Sequence, residues 1–343
     1  MTRRPDRTAD GGSGAPAALR HGDRMLDRMD LPPVEVSEPD GFVVVVEPGD
    51  RIHFLDWGGP PVDVGAPPSG VLLIHGLSQT AWAWAPVARR LRAEVHVVAM
   101  DLRGHGLSDA PTDDGAYALD VLARDAVAVA EGSGLLRSPA DRVVLAGHGF
   151  GAIVAAGAAV ELAERCIGLV LVDGGWESIE ASSGLDVDEF LRGLDEPPEV
   201  MRTMAAFLAD RAGFDAASWD ADQERAARAT VVETHAGRVV PATRPHALEA
   251  SVRTMFGYDP LTVLPRVGAG GRIVALVSGV EGDGVGAGGR SGALASVAAA
   301  RVAAGETSIE TVRFPYDGHN LMRYRPAEVS AAMLRVTRPP DTA

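Results

Sequence analysis

The stretch VVLAGHGFGA, Val143 to Ala152, decides how this chain is read. An apolar run passes through Gly147, Gly149 and Gly151 into a small-residue segment of helical composition, so the local expectation is strand, sharp turn, helix. Two chemistries use such a turn. As written, Gly147, Gly149 and Ala152 satisfy G-x-G-x-x-A, a spacing that lets backbone approach a pyrophosphate at a helix N-terminus. With serine at 149 the spacing would be G-x-S-x-G, a turn that lifts a nucleophilic hydroxyl to the top of a sheet.

The bulk properties narrow the field. A chain of 343 residues that is 46% apolar buries a sizeable core, enough for one large domain with an insertion or for two ordinary ones. A net charge of −15, with arginine supplying every basic side chain, disfavours nucleic acid, whose binding needs clustered positive charge to release counterions. Cys166 is the single cysteine. An intrachain disulfide and a multi-thiolate metal site are thereby excluded, and the residue reads as a small buried hydrophobe. The opening MTRRPDR is followed by polar and Gly/Pro-containing residues where a signal peptide has its apolar segment, and no run reaches the length of a membrane span. The expectation is a cytoplasmic protein with no membrane partner; its oligomeric state is left open.

Residues 1–38 carry turn formers and charges without apolar periodicity and are expected to form a disordered tail. Beyond them FVVVVE, RIHFLDW, VLLIHG, VHVVAMD, RVVLAG, IGLVLVD, RIVALVSG and TSIETVRF read as strands, with helical patterns between most of the later ones. Short continuous Val-rich strands alternating with helices predict an α/β fold: a mostly parallel eight-stranded sheet covered on both faces. The alternation lapses over 176–260, where DVDEFLRGL, PEVMRTMAAFLADRAGF and ALEASVRTMF are helical and no convincing strand appears. This segment is expected to be a helical cap inserted into a core formed by 39–175 and 261–343. Its Phe190, Met201, Met204, Phe207, Phe214, Trp219 and Met255 read first as cap packing and second as pocket lining.

The dinucleotide reading has local support, because the strand after the glycine turn ends in Asp173, where a ribose-binding acid would sit. Its context is poor. Such a domain carries its fingerprint after the first strand, whereas about five candidate strands precede Gly147. A second match, Gly284, Gly286 and Gly289, lies several residues past its strand and reads as a flexible loop. No bound cofactor is expected, and a dinucleotide remains a minor alternative.

Over about residues 40–337 the chain resembles the α/β-hydrolase fold, in its epoxide hydrolase-like and haloperoxidase-like branch. LLIHGLSQTAWAW is similar to that family's H-G turn, VVAMDLRGHGLSD to its D-x-R-G-x-G-x-S motif, and FPYDGHNLMRYRPAEVSAAML to its terminal G-H loop and helix. The resemblance implies that His319 is the catalytic histidine and that the N–H groups of Leu77 and Phe150 form the oxyanion hole. It sets the nucleophile position at Gly149, which is vacant. The triad acid would fall at Gly282; Glu281 and Asp283 flank it, and Asp173 stands at another position that family members use.

Without a hydroxyl at 149 no acyl-enzyme forms there. In a serine hydrolase, loss of the nucleophile leaves an acceleration of roughly 10³ to 10⁴ over water, from oxyanion donors and binding. What the resemblance leaves in place is a general base facing an anion-stabilising site. That suits proton abstraction beside a carbonyl, elimination, or activation of water. Glycine also relieves the strain, about 1 to 3 kcal/mol, that a side chain suffers at such a turn. Ser78, His148 and Trp176 are candidate pocket contacts. Ser78 has no partner identifiable in sequence, while His75, His148, His105 and Arg103 read more simply as loop-fastening groups. The nine histidines show no metal-ligand spacing, so no metal is expected. The expected function is a non-covalent general-base enzyme, a lyase, isomerase or weak hydrolase, acting on a small apolar carbonyl compound or ester. The alternative is a non-catalytic pseudo-hydrolase that binds a ligand or a partner.

Overall fold

A computed structural model of the chain describes residues 38–61, 69–194, 203–214, 216–268, 271–279 and 289–337. The expectation for 1–38 therefore falls, but for its last residue, outside the described part. The strands are β1 (Asp40–Val46), β2 (Asp50–Gly58), β3 (Ser69–Ile74), β4 (His96–Met100), β5 (Arg142–His148), β6 (Cys166–Val172), β7 (Val231–Glu233), β8 (Val239–Pro241), β9 (Arg272–Ser278) and β10 (Glu310–Phe314). Eight of them form one sheet in the order β1-β2-β4-β3-β5-β6-β9-β10. β2 is antiparallel to both of its neighbours, and every pair from β4 to β10 is parallel. The expected α/β architecture is present.

Period two in the strands assigns side chains to two cores. Leu72, Ile74, Val98, Met100, Leu145, Leu169 and Leu171 pack on one face, under α2 (Leu119–Gly132), α3 (Phe150–Leu162) and α10 (Gly289–Ala303). Val71, Leu73, Val97, Ala99, Val144, Val170 and Val172 pack on the other, under α1 (Ala85–Leu91) and α12 (Pro326–Thr337). Because both faces are covered, the strands read as unbroken apolar runs rather than alternating ones. Cys166 is buried at the start of β6, and burial pushes its thiol up to about 12.

Between β6 and β9 lie α4 (Ile179–Ser183), α5 (Val187–Leu194), α6 (Met204–Phe214), α7 (Ala221–Ala229), α8 (Pro245–Phe256) and α9 (Pro260–Val263); α11 (Leu321–Tyr324) follows β10. The segment between β6 and β9 is mainly helical, as its periodicity predicts, with one departure. β7 and β8 pair as an antiparallel ribbon, Val231 opposite Pro241 and Glu233 opposite Val239. Strands of three residues are too short to register as a periodic pattern, and this ribbon escaped the sequence reading. This segment is fastened to α1 and the turn before it by the Arg89–Asp222 ion pair at 3.0 Å and by Arg225 over the Trp82 ring at 4.6 Å.

Candidate active site

The sheet order turns back at β3, which lies between β4 and β5, and the loops leaving β3 and β5 open a crevice at the strands' C-terminal ends. Such switch points are where open α/β sheets bind ligands. A cavity of about 480 Å³ sits there, and Leu77, Ser78, His148, Gly149, Phe150, Asp173, Glu177, Arg290 and His319 are all on its wall.

The glycines of the opening motif have unequal roles. A Cβ on Gly147 would lie 2.1 Å from the Gly151 carbonyl oxygen, and one on Gly151 would lie 2.3 Å from the Ile74 and His75 carbonyl oxygens. Both positions are closed to any side chain, because strand and helix touch through them. Gly149, at φ 52° and ψ −117°, is open: among the described residues a Cβ there would meet only His319, 3.2 Å from Nε2 and 3.5 Å from Cε1. Its backbone does not demand glycine outright, since Ala163 holds φ 49° and ψ −122° with its Cβ in place.

His319 lies in the loop between β10 and α11. Its Nδ1 is 2.6 Å from Oδ2 of Asp173, which follows β6 at φ 50°. Asp173 also accepts from the Ser278 N–H at 2.8 Å, the Ser278 hydroxyl at 2.7 Å and the Arg290 guanidinium at 3.2 Å. Burial pushes the Asp173 carboxyl upward, but the hydrogen bond to His319 and the Arg290 charge outweigh it and hold the group well below the usual carboxylate range. The acid that sequence left open among three carboxylates is thus met on His319 by Asp173; Glu281 and Asp283 lie outside the described residues.

Two neighbours carried no sequence signal beyond their charge. Glu177 is 7% exposed and accepts from Arg290 Nε at 2.8 Å, while its Oε2 is buried without a hydrogen-bond partner among the described residues. Burial raises its carboxyl above the ordinary value, with Arg290 opposing. Arg290 therefore bridges Asp173 and Glu177, and it lies 5.2 Å above the Trp176 ring. Trp176, expected at the pocket, is instead fully buried in the core and is not in the cavity lining. Its indole fills the space beneath that guanidinium.

The remaining polar groups hold the loops. His148 has its Nε2 3.1 Å from the His319 carbonyl and its Nδ1 3.0 Å from the Gln79 side-chain amide. Burial, reinforced by His319, pushes its imidazole down to about 3. Gln79 also accepts from the Gly76 N–H and donates to Asn320, so the loops after β3 and β10 are tied together. Neither Gln79 nor Asn320 was picked out from sequence. Ser78 sits at φ 59° on the cavity wall. His75 is closed on both nitrogens, by the Gly76 carbonyl and the Leu102 N–H, and Arg103 is paired with Asp125 and Asp50. The N–H of Leu77 donates to no backbone carbonyl among the described residues. That of Phe150 belongs to the first turn of α3, which has no intrahelical acceptor.

The apolar wall comes from several elements together: Phe150 and Ile153 from α3, Phe190 and Leu194 from α5, Met255 from α8. A second cavity of about 460 Å³ shares Ser78, Gln79 and Asn320 with the first and is lined by Phe214 and Trp219. Phe207 is buried, and Met201 lies outside the described residues. Among the described residues no His, Cys, Asp and Glu cluster could hold a metal ion, and no helix is long and apolar enough to cross a membrane.

Comparison with known proteins agrees with the fold. Among curated proteins, Epoxide hydrolase 4 of Mus musculus is 30% identical over 148 residues, 41% of this chain and 38% of the relative. N-formylmaleamate deformylase of Pseudomonas putida is 35% identical over 125 residues, 36% of this chain and 42% of the relative. The matches thus span well under half the length of these relatives. Among solved structures, that of E-2-(acetamidomethylene)succinate hydrolase superposes with a TM-score of 0.65 at 19% identity, covering 87% of this chain and 99% of that one. The profile of the Alpha/beta hydrolase family matches residues 71–332, most of the chain, and together with the eight-stranded sheet this makes the protein a member of that family.

Proposed function

We propose that the protein is a general-base enzyme that works without a covalent intermediate, on a small and mainly apolar carbonyl compound or ester. The observation that carries this reading is the pairing of an open position at Gly149 with His319 Nε2, 3.2 Å from where a Cβ would stand, while Nδ1 is held by Asp173. Asp173 fixes the tautomer with its proton on Nδ1 and leaves the Nε2 lone pair facing the cavity. In this mechanism His319 takes a proton from a water beside Gly149, the resulting hydroxide adds to the carbonyl carbon, and Asp173 stabilises the imidazolium. The N–H groups of Leu77 and Phe150 receive the oxyanion, and His319 returns the proton to the leaving group. The same base facing a C–H beside a carbonyl would remove that proton instead, as a lyase or isomerase does.

Residues 176–260 serve in this reading as a cap, and Phe190, Leu194 and Met255 select apolar substrates. Ligand binding without turnover is the competing reading, favoured by the missing side chain at 149. Replacing His319 by alanine separates the two. Turnover of p-nitrophenyl esters should fall to the buffer rate while affinity for a non-reactive ester analogue stays within a few-fold; a native protein that binds the analogue and never exceeds the buffer rate is a binding protein.

A further inference from the structure

Backbone closes the space beside Gly149 on one side. Gly147 and Gly151 close the turn on either side, and a Cβ on Gly174 would lie 2.8 Å from the Gly149 Cα, so backbone forms the floor. Among the described residues, nothing but His319 comes within 4 Å of the absent Cβ, apart from the adjoining chain. The space then opens into the 480 Å³ cavity, whose lining includes Phe150 and Ile153. An oxygen placed here lies within hydrogen-bond reach of Nε2, and a carbon attached to that oxygen must point away from the floor, toward the apolar wall. Water gains nothing from that wall, whereas an alkyl group does.

We infer that this space is a binding site for a small O–H or N–H nucleophile other than water, such as a short primary alcohol or hydroxylamine, and that the protein transfers acyl groups to it. The inference rests on the proposed role of His319 as general base. The step balances without any redox partner. As the alcohol oxygen bonds to the ester carbonyl carbon, its proton passes to His319 Nε2. The tetrahedral adduct then breaks its bond to the original alkoxy group, which recovers the proton from Nε2. One ester and one alcohol become another ester and another alcohol, and no bond to the protein forms.

The test uses the full-length protein with p-nitrophenyl acetate in buffer containing methanol, with methyl acetate and acetate measured by gas chromatography. The protein-catalysed fraction should show a methyl acetate to acetate ratio about tenfold above that of buffer, the advantage of a held over a free nucleophile. Hydroxylamine should likewise give excess acetohydroxamate. In Gly149→Ala the new Cβ occupies the space, and the excess should vanish; Ala163 indicates that the backbone accepts alanine there, and a circular dichroism melt verifies folding. If the native protein releases acetate faster than buffer, in a His319-dependent way, but at the buffer product ratio, the acceptor site is refuted and the general-base reading stands. If neither product exceeds the buffer rate, both are refuted.

Discussion

His319 Nδ1 rests 2.6 Å from Oδ2 of Asp173, across 146 residues of chain, and Asp173 reaches it from a left-handed backbone conformation. Aspartate is among the few side chains that tolerate such dihedrals. Its carboxylate is fully engaged, by the imidazole, the Ser278 N–H and hydroxyl, and Arg290. Asp173→Asn should therefore favour the wrong imidazole tautomer and lower kcat by about 10³- to 10⁴-fold, measured as initial rate on an activated ester.

The same carboxylate links stability to pH. Its folded-state value lies below the ordinary one, so its contribution is complete above the unfolded value of about 4 and is lost as pH falls toward the folded value. Chemical denaturation of the native protein and of Asp173→Asn should show a stability gap that is constant from pH 5 to 7 and narrows below pH 4.

Buried histidines give a second dependence in a higher window. His105 and His148 are both pushed from 6.5 down to about 3 by burial, with a neighbouring histidine adding to it in each case. Between those limits the unfolded chain binds protons that the native state refuses, so stability falls as pH drops through 6.5, by about 1.4 kcal/mol per pH unit for each such histidine. His105→Gln should flatten the slope between pH 6 and 5 by about that amount, read from urea unfolding; an unchanged slope would mean that His105 is charged in the native state.

Arg290 joins two carboxylates and is itself about one-third exposed. Arg290→Met leaves Asp173 and Glu177 facing each other unneutralised. The expected loss is about 1 to 3 kcal/mol, less than for a fully buried pair because solvent screens the guanidinium. Adding Glu177→Gln should restore part of it, and the double-mutant cycle gives the coupling. Additive losses would show that Arg290 does not bridge the pair.

Gly149→Ser restores a hydroxymethyl group pointing at His319. If the site is otherwise assembled, the variant should label with a fluorophosphonate and hydrolyse p-nitrophenyl esters about 10³-fold faster than the native protein. An inert variant would show that the donors at Leu77 and Phe150 are not positioned for an oxyanion.

Much of the fold was legible because buried parallel strands leave runs such as VLLIHG and GLVLVD, and their two-faced burial keeps those runs unbroken. His319 and Gly149 were singled out through the resemblance of their motifs to those of the α/β-hydrolases. The partner of His319 was not, because it depends on a single positive φ at Asp173 that no residue pattern announces. Glu177 and Arg290 are separated by 113 residues and meet only through the sheet. Arg290 sits beside a glycine-rich stretch that reads as loop, yet it belongs to the first turn of α10. The β7–β8 ribbon was hidden by its brevity.

The inequality among the three glycines of the turn has a practical side. Gly147 and Gly151 cannot be changed without parting strand from helix, whereas a side chain at 149 would meet, among the described residues, only the His319 imidazole, on a backbone shape that Ala163 also holds. A side chain at 149 therefore costs the fold the backbone strain of its positive φ, about 1 to 3 kcal/mol, and little else. That makes position 149 an attachment point where serine, cysteine or an unnatural nucleophile can be installed by one codon, with the scaffold around it left as it is.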